Sequence, residues 1–186
     1  WGANYAGGAG IPVGLANVTA IYSGRYAFAT LCEGGTIVAW GRGADGGAGV
    51  PVGLSHVTTV YSVESAFTAH KEDGRVVAWG SPGAGGTVPA DLEVVSSISA
   101  SRGAFAAVTE HGTVIAWGSA RHGGSMNDVT IDGVLHTGVP ADLKDAVAVY
   151  SSQQSFAALT SQGSVAAWGD SRWGGSGVPA SLQNVM

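Results

Sequence analysis

Cysteine occurs once, at Cys32, so the chain has no internal disulfide framework. Charge is also scarce. Only 11% of the 186 residues are charged, against about 25% in an ordinary soluble domain. The 8 basic side chains are outnumbered by 13 acidic ones and form no run. A nucleic-acid grip by phosphate neutralisation therefore has no visible source. No apolar run approaches the ~20 residues that span a bilayer. With 6 prolines and no glycine period of three, collagen is excluded.

What the chain does have is glycine, 31 residues of it, or about one in six where ~7% is usual. Glycine is poor in helix interiors, which argues against a helical protein. Hydrophobic residues make up 45% and aromatics only 8%, so the apolar content is mostly small or β-branched. That hydrophobicity, with so little charge, excludes simple disorder. The chain opens Trp1-Gly2, without an initiator methionine or signal peptide. It is expected to be a fragment or processed form of something longer.

An internal repeat organises the whole sequence. Trp1, Trp40, Trp79, Trp117 and Trp168 are spaced 39, 39, 38 and 51. Phe28, Phe67, Phe105 and Phe156 keep the steps 39, 38 and 51, and Pro12, Pro51, Pro89, Pro140 and Pro179 give 39, 38, 51 and 39. Each unit opens with an apolar stretch such as Val18 to Tyr22 and continues into a strand-like run such as Tyr26 to Leu31. A turn leads to a second run, Thr36 to Gly41, and then to a glycine-rich loop ending Val50-Pro51. The turn pairs Gly34-Gly35, Asp73-Gly74, His111-Gly112 and Gln162-Gly163 signal two-residue hairpins with positive φ. The reading is all-β: tandem ~39-residue three-stranded antiparallel repeats, about twelve strands in four units centred on Phe28, Phe67, Phe105 and Phe156. Residues 1–186 read as a single β-repeat domain.

The strands are apolar on both faces, as in Thr113-Val114-Ile115-Ala116-Trp117. A sheet buried on both sides must lie between neighbours, as in propeller blades or stacked solenoid coils. The repeat aromatics are expected to fill the space between adjacent units. A β-propeller-like partial ring or an open β-solenoid fits, either left open or completed outside this chain, since uncovered strand edges are a liability. The 51-residue step locates a 12-residue insertion, Met126 to Thr137. Val129-Thr130-Ile131, Asp132-Gly133 and Val134-Leu135-His136 read as a hairpin of its own. Its apolar side chains need cover, either from the adjacent blade as an added strand pair or from a partner. The partner is the expectation, because binding residues concentrate on loops held by rigid scaffolds.

The segments Gly35 to Gly41, Gly74 to Gly80, Gly112 to Gly118 and Gly163 to Gly169 share the pattern Gly-x-(Val/Ile)-x-Ala-Trp-Gly. With the Gly-Gly loops and the Pro-x-x-Leu that follows, this resembles the regulator-of-chromosome-condensation repeat family. Its best-known member is a β-propeller exchange factor for the Ran GTPase. The resemblance implies propeller blades. The units here are shorter than the family's, and only four are complete. The exchange-factor wedge and the basic chromatin tail have no counterpart, so exchange activity is not implied. Short repeats of this kind are also similar to those in long arrays from bacteria and single-celled algae, which suggests scaffolding.

Candidate chemistry is sparse. Gly41-Arg42-Gly43-Ala44-Asp45-Gly46 matches a dinucleotide motif literally. The helix such a site requires is disfavoured by the Gly-Ala-Gly-Val-Pro that follows. Asp45 aligns with Ala6, Ala84 and Trp173, so no calcium ladder repeats. Asp128, Asp132, His136 and His122 gather around the insertion but lack closed metal-ligand spacing. No Gly-x-Ser-x-Gly elbow supports a hydrolase triad, and Cys32 reads as a partly buried inert thiol. Trp173 and Arg172 lie in a loop and are of the types enriched in protein-binding hot spots.

The functional expectation is therefore a non-enzymatic scaffold domain, with no cofactor or metal, that binds an unidentified protein partner. Met126, Val129, Ile131, Val134, Leu135, Arg172 and Trp173 are the candidate contacts. A second reading is a peripheral structural subunit of a large assembly, with an organellar or photosynthetic membrane complex as one setting. A lectin or hydrolase survives as a third class only because propeller folds host both. Composition names no compartment.

Overall fold

The computed structural model describes residues 10–179; Trp1 and Ala6 lie outside the described residues. These residues form four antiparallel sheets. The first holds β1 (Val18–Ser23), β2 (Ala27–Cys32) and β3 (Thr36–Gly41), and the second holds β4 (Val57–Ser62), β5 (Ala66–Lys71) and β6 (Val76–Gly80). The third holds β7 (Val95–Ala100), β8 (Ala104–Thr109) and β9 (Val114–Gly118). The fourth carries β12 (Ala146–Ser151), β13 (Ser155–Thr160) and β14 (Val165–Asp170), extended by the inserted pair β10 (Val129–Ile131) and β11 (Val134–Thr137). The chain divides into two compact units, Trp1–Val88 and Pro89–Met186, each containing two of the sheets.

The turns between second and third strands differ from the two-residue expectation. Gly74 N–H donates to the Lys71 carbonyl, and Lys71 N–H to that of Arg75, which makes a three-residue loop. Thr109 to Thr113 and Thr160 to Ser164 repeat the pattern. The loop still needs a left-handed residue at its end, and glycine supplies it at φ 73° in Gly74. Every first strand also carries one register shift, as between Val57 and Thr59. This bulge lets Val57 and Val60, three residues apart, point to the same buried face.

Within the first unit, Ala29 and Leu31 of the first sheet pack against Val57, Val60, Phe67 and Ala69 of the second. Ala20, Tyr22, Ile37 and Ala39 border this core. The second unit repeats the arrangement, with Ala106, Val108, Val114 and Ala116 facing Ala146, Val149, Phe156 and Ala158. The small alanines allow close sheet approach and the aromatics fill what remains.

A specific lock joins the two sheets of each unit. In each sheet the repeat Phe stacks on the repeat Trp, with centroids 5.4 Å apart for Phe67–Trp79 and 5.6 Å for Phe156–Trp168. In the second and fourth sheets the glycine loop leaving the preceding sheet covers that pair. Gly46 sits at φ 94° over Phe67, and its carbonyl accepts the Trp79 indole N–H at 3.0 Å. A methyl group built on Gly46 would lie 2.5 Å from the Phe67 ring. Gly123 makes the same contacts with Phe156 and Trp168, the indole bond being 3.1 Å. The expectation that these aromatics pack between successive sheets holds for Phe67 and Trp79 in the first unit and for Phe156 and Trp168 in the second, none of them more than 3% exposed.

Phe67→Ala or Trp79→Ala should therefore cost about 3–5 kcal/mol in denaturant melts, the range for buried aromatics. Gly46→Ala should cost more than about 1 kcal/mol, since it needs a positive φ and strikes Phe67. Losses below these values would mean that the loop and rings do not hold the sheets together.

Candidate protein-binding surface

The insertion forms the expected hairpin, with Val129 opposite His136, Thr130 opposite Leu135 and Ile131 opposite Val134. Asp132 at φ 50° and Gly133 at φ 74° make its two-residue turn. Of the two covers expected for the hairpin, the neighbouring blade is the one the structure forms. β11 pairs with β14 through His136–Asp170 and Thr137–Gly169, so the fourth sheet takes it as an added strand pair. The reason is the outer edge of β14, whose peptide groups would otherwise lack a ladder partner. Thr137 strengthens the join: its hydroxyl donates to the Gly175 carbonyl at 2.7 Å and accepts the Gly169 N–H at 3.1 Å.

Strand alternation then sorts the candidate contacts. Val129, Ile131 and Val134 share the face of His136 and are half-buried. Leu135 points to the opposite face and is 45% exposed. Met126, 43% exposed, lies at the base of the hairpin, where its sulfur accepts the Ala116 N–H of β9 at 3.3 Å. Trp173, 55% exposed, ends the 3-10 turn Ser171–Trp173 that follows β14.

Arg172 is held as well as exposed. Its backbone N–H, Nε and Nη2 all donate to the Asp170 carboxylate, at 2.9, 3.1 and 2.7 Å. Asp170 is fully buried, and these bonds hold its pKa down at about 2. The same pairing raises the pKa of Arg172. Asp170 escaped the sequence reading, although a signal was there: the other units carry Arg42, Ser81 and Ser119 at its position. The clamp fixes the turn that presents Trp173.

The other sequence candidates have local roles. Asp132 pairs with Arg121, and Asp128 accepts the Gly138 N–H at 2.9 Å. His136 is 2% exposed, with neither ring nitrogen hydrogen-bonded. Among the described residues no three His, Cys, Asp or Glu side chains are grouped to hold a metal ion. The glycine motif at Gly41 leads into a single 3-10 turn, Gly43–Asp45, where the buried Asp45 pairs with Arg42 at 3.2 Å. Cys32 is buried. No helix among the described residues is long and apolar enough to cross a membrane.

The Asp170 clamp makes stability depend on acid. A depressed carboxylate contributes fully above its unfolded pKa, near 4, and the contribution disappears as pH falls from there towards about 2. Denaturant melts of the wild type should weaken across that window. Asp170→Asn, less stable at neutral pH, should weaken less there. Parallel curves would remove the clamp from the account.

No protein-family model matches the sequence, and no curated protein matches it. Solved structures do match. Prp20p from Saccharomyces cerevisiae superposes with a TM-score of 0.56 at 19% identity, over 82% of this chain and 45% of that one. Human WBSCR16 gives 0.55 at 18%, over 82% and 47%. The ectodomain of the Physcomitrella patens receptor kinase CR4 gives 0.59 at 21%, over 91% and 46%. The chain spans less than half the length of each. The likeness is one of fold, and the chain carries the β-propeller repeat architecture that its Ala-Trp-Gly segments resemble.

Proposed function

We propose that this chain is a non-enzymatic protein-binding scaffold whose contact surface is the outer edge of the fourth sheet. The observation that carries this reading is the placement of Met126, Leu135 and Trp173. Three large apolar side chains stay exposed on elements held by the β11–β14 ladder and the Asp170–Arg172 clamp. Large exposed apolar groups on a rigid, pre-ordered support are the usual form of a protein-binding hot spot, and Trp and Arg are enriched there. Val129, Ile131 and Val134 support the hairpin from its other face. The fold-level neighbours are consistent with the reading: Prp20p is described by its binding to Gsp1p and histones.

A photo-crosslinking residue placed at position 173 or 135 in the natural host should capture a discrete protein adduct that the same residue at Glu110 does not. Trp173→Ala should abolish the adduct at position 135. It should change stability by no more than about 0.5 kcal/mol, as surface substitutions do. Equal capture at Glu110, or none at 135 and 173, would defeat the proposal.

A further inference from the structure

Of the asparagines Asn4, Asn17, Asn127 and Asn184, only Asn17 is followed two residues on by serine or threonine, in Asn17-Val18-Thr19. Asn-x-Ser/Thr with a middle residue other than proline is the acceptor pattern for N-linked oligosaccharides, and its structural condition is an asparagine on a surface loop. The fold meets that condition. Asn17 is exposed and ends the loop that enters β1, with φ 55°. Its backbone carbonyl accepts the Glu33 N–H at 2.9 Å. Among the described residues its side-chain amide has no hydrogen-bond partner.

The exposure belongs to this position in the repeat. His56 and Asp145 stand at the equivalent place before β4 and β12, at φ 57° and 55°, and both are exposed. A sheet in front does not cover the position. Gly35 of the first sheet packs so closely on the His56 backbone that a methyl group there would lie 2.7 Å from its Cα, yet His56 stays exposed. The left-handed backbone favours Asn, Asp and His. The hydroxyl two residues on recurs as well. Thr19, Thr58 and Ser96 donate to the carbonyls of Leu31, His70 and Val108 at 3.1, 3.0 and 3.2 Å. The repeat thus supplies the turn and the hydroxyl for its own structural reasons, and asparagine at position 17 makes an acceptor of them. The other units lack one part or the other: His56 and Val94 have no carboxamide, and Asp145 is followed by Val147.

We infer that Asn17 accepts an N-linked oligosaccharide. In the transfer, Asn17 Nδ2 bonds to C1 of the terminal sugar of a polyprenyl-pyrophosphate-linked oligosaccharide. The bond from C1 to the phosphate oxygen breaks, the pyrophosphate leaves with the electron pair, and the amide gives up one proton. Once β1 has paired with β2 the Thr19 hydroxyl is committed to Leu31. Transfer therefore precedes that pairing, and the exposed turn then holds the sugar in solvent. The site lies on the first sheet and is independent of the protein-binding surface on the fourth.

The chain isolated from its natural host should carry a glycan on the peptide that contains Asn17. An N-glycan amidase acting in heavy-oxygen water should convert Asn17, and not Asn127, to labelled aspartate. Asn17→Asp keeps the left-handed turn, as Asp145 does, and should lose the glycan while the circular dichroism stays that of the wild type. Thr19→Val places at this position the residue found at Val147; it should also abolish the glycan with Asn17 still present, whereas Thr19→Ser should retain it. An unmodified Asn17 in the chain from that host overturns the inference, and so does a glycan that persists in Thr19→Val.

Discussion

The hydrogen bond from a repeat tryptophan to a left-handed glycine carbonyl on the preceding sheet holds the two sheets of each unit together. A three-stranded sheet with two apolar faces cannot be stable alone, and burial by itself does not set the register between sheets. The indole bond does. It is directional, buried and coupled to the Phe–Trp stack beneath it, so the loop must deliver one backbone carbonyl to one point. Glycine is required there because the left-handed turn and the ring contact leave no room for a side chain.

This constraint explains the constancy of the period. A loop one residue too long or short between the repeat tryptophan and that glycine would misplace the carbonyl, and Gly46 and Gly123 each follow the tryptophan of their own sheet by six residues. The insertion also obeys the rule. It enters after Gly123 has made its contact with Phe156 and Trp168, so twelve extra residues leave the lock intact. They could then be put to another use, and the open edge of β14 was the nearest ladder available.

The scarcity of charge follows from the same architecture. Faces that pack on other sheets cannot carry ions, so among the described residues charged side chains fall in turns, loops and strand ends. Where one is buried, it is paired: Asp170 with Arg172 and Asp45 with Arg42. Both pairs brace the loops that follow the repeat tryptophan, which is where successive sheets meet and where Trp173 is displayed.

The all-β class, the four units, the strand pairs and the hairpin with its register could all be read from the chain, because each is a local consequence of spacing. Alternation, a glycine at a turn and a recurring tryptophan act over a few residues and leave a pattern in one dimension. The fate of the hairpin could not be read that way. Val129, Ile131, Val134 and Leu135 look alike in sequence, but pairing of β11 with β14 turns three to one face and leaves Leu135 on the other. Asp170 likewise looked like a loop residue until the fold buried it against Arg172. The difference between Ile21 and Val60, or between Leu159 and Leu31, is wholly tertiary. Equivalent residues become core or surface according to whether another sheet lies against them, and that depends on neighbours far away in the chain.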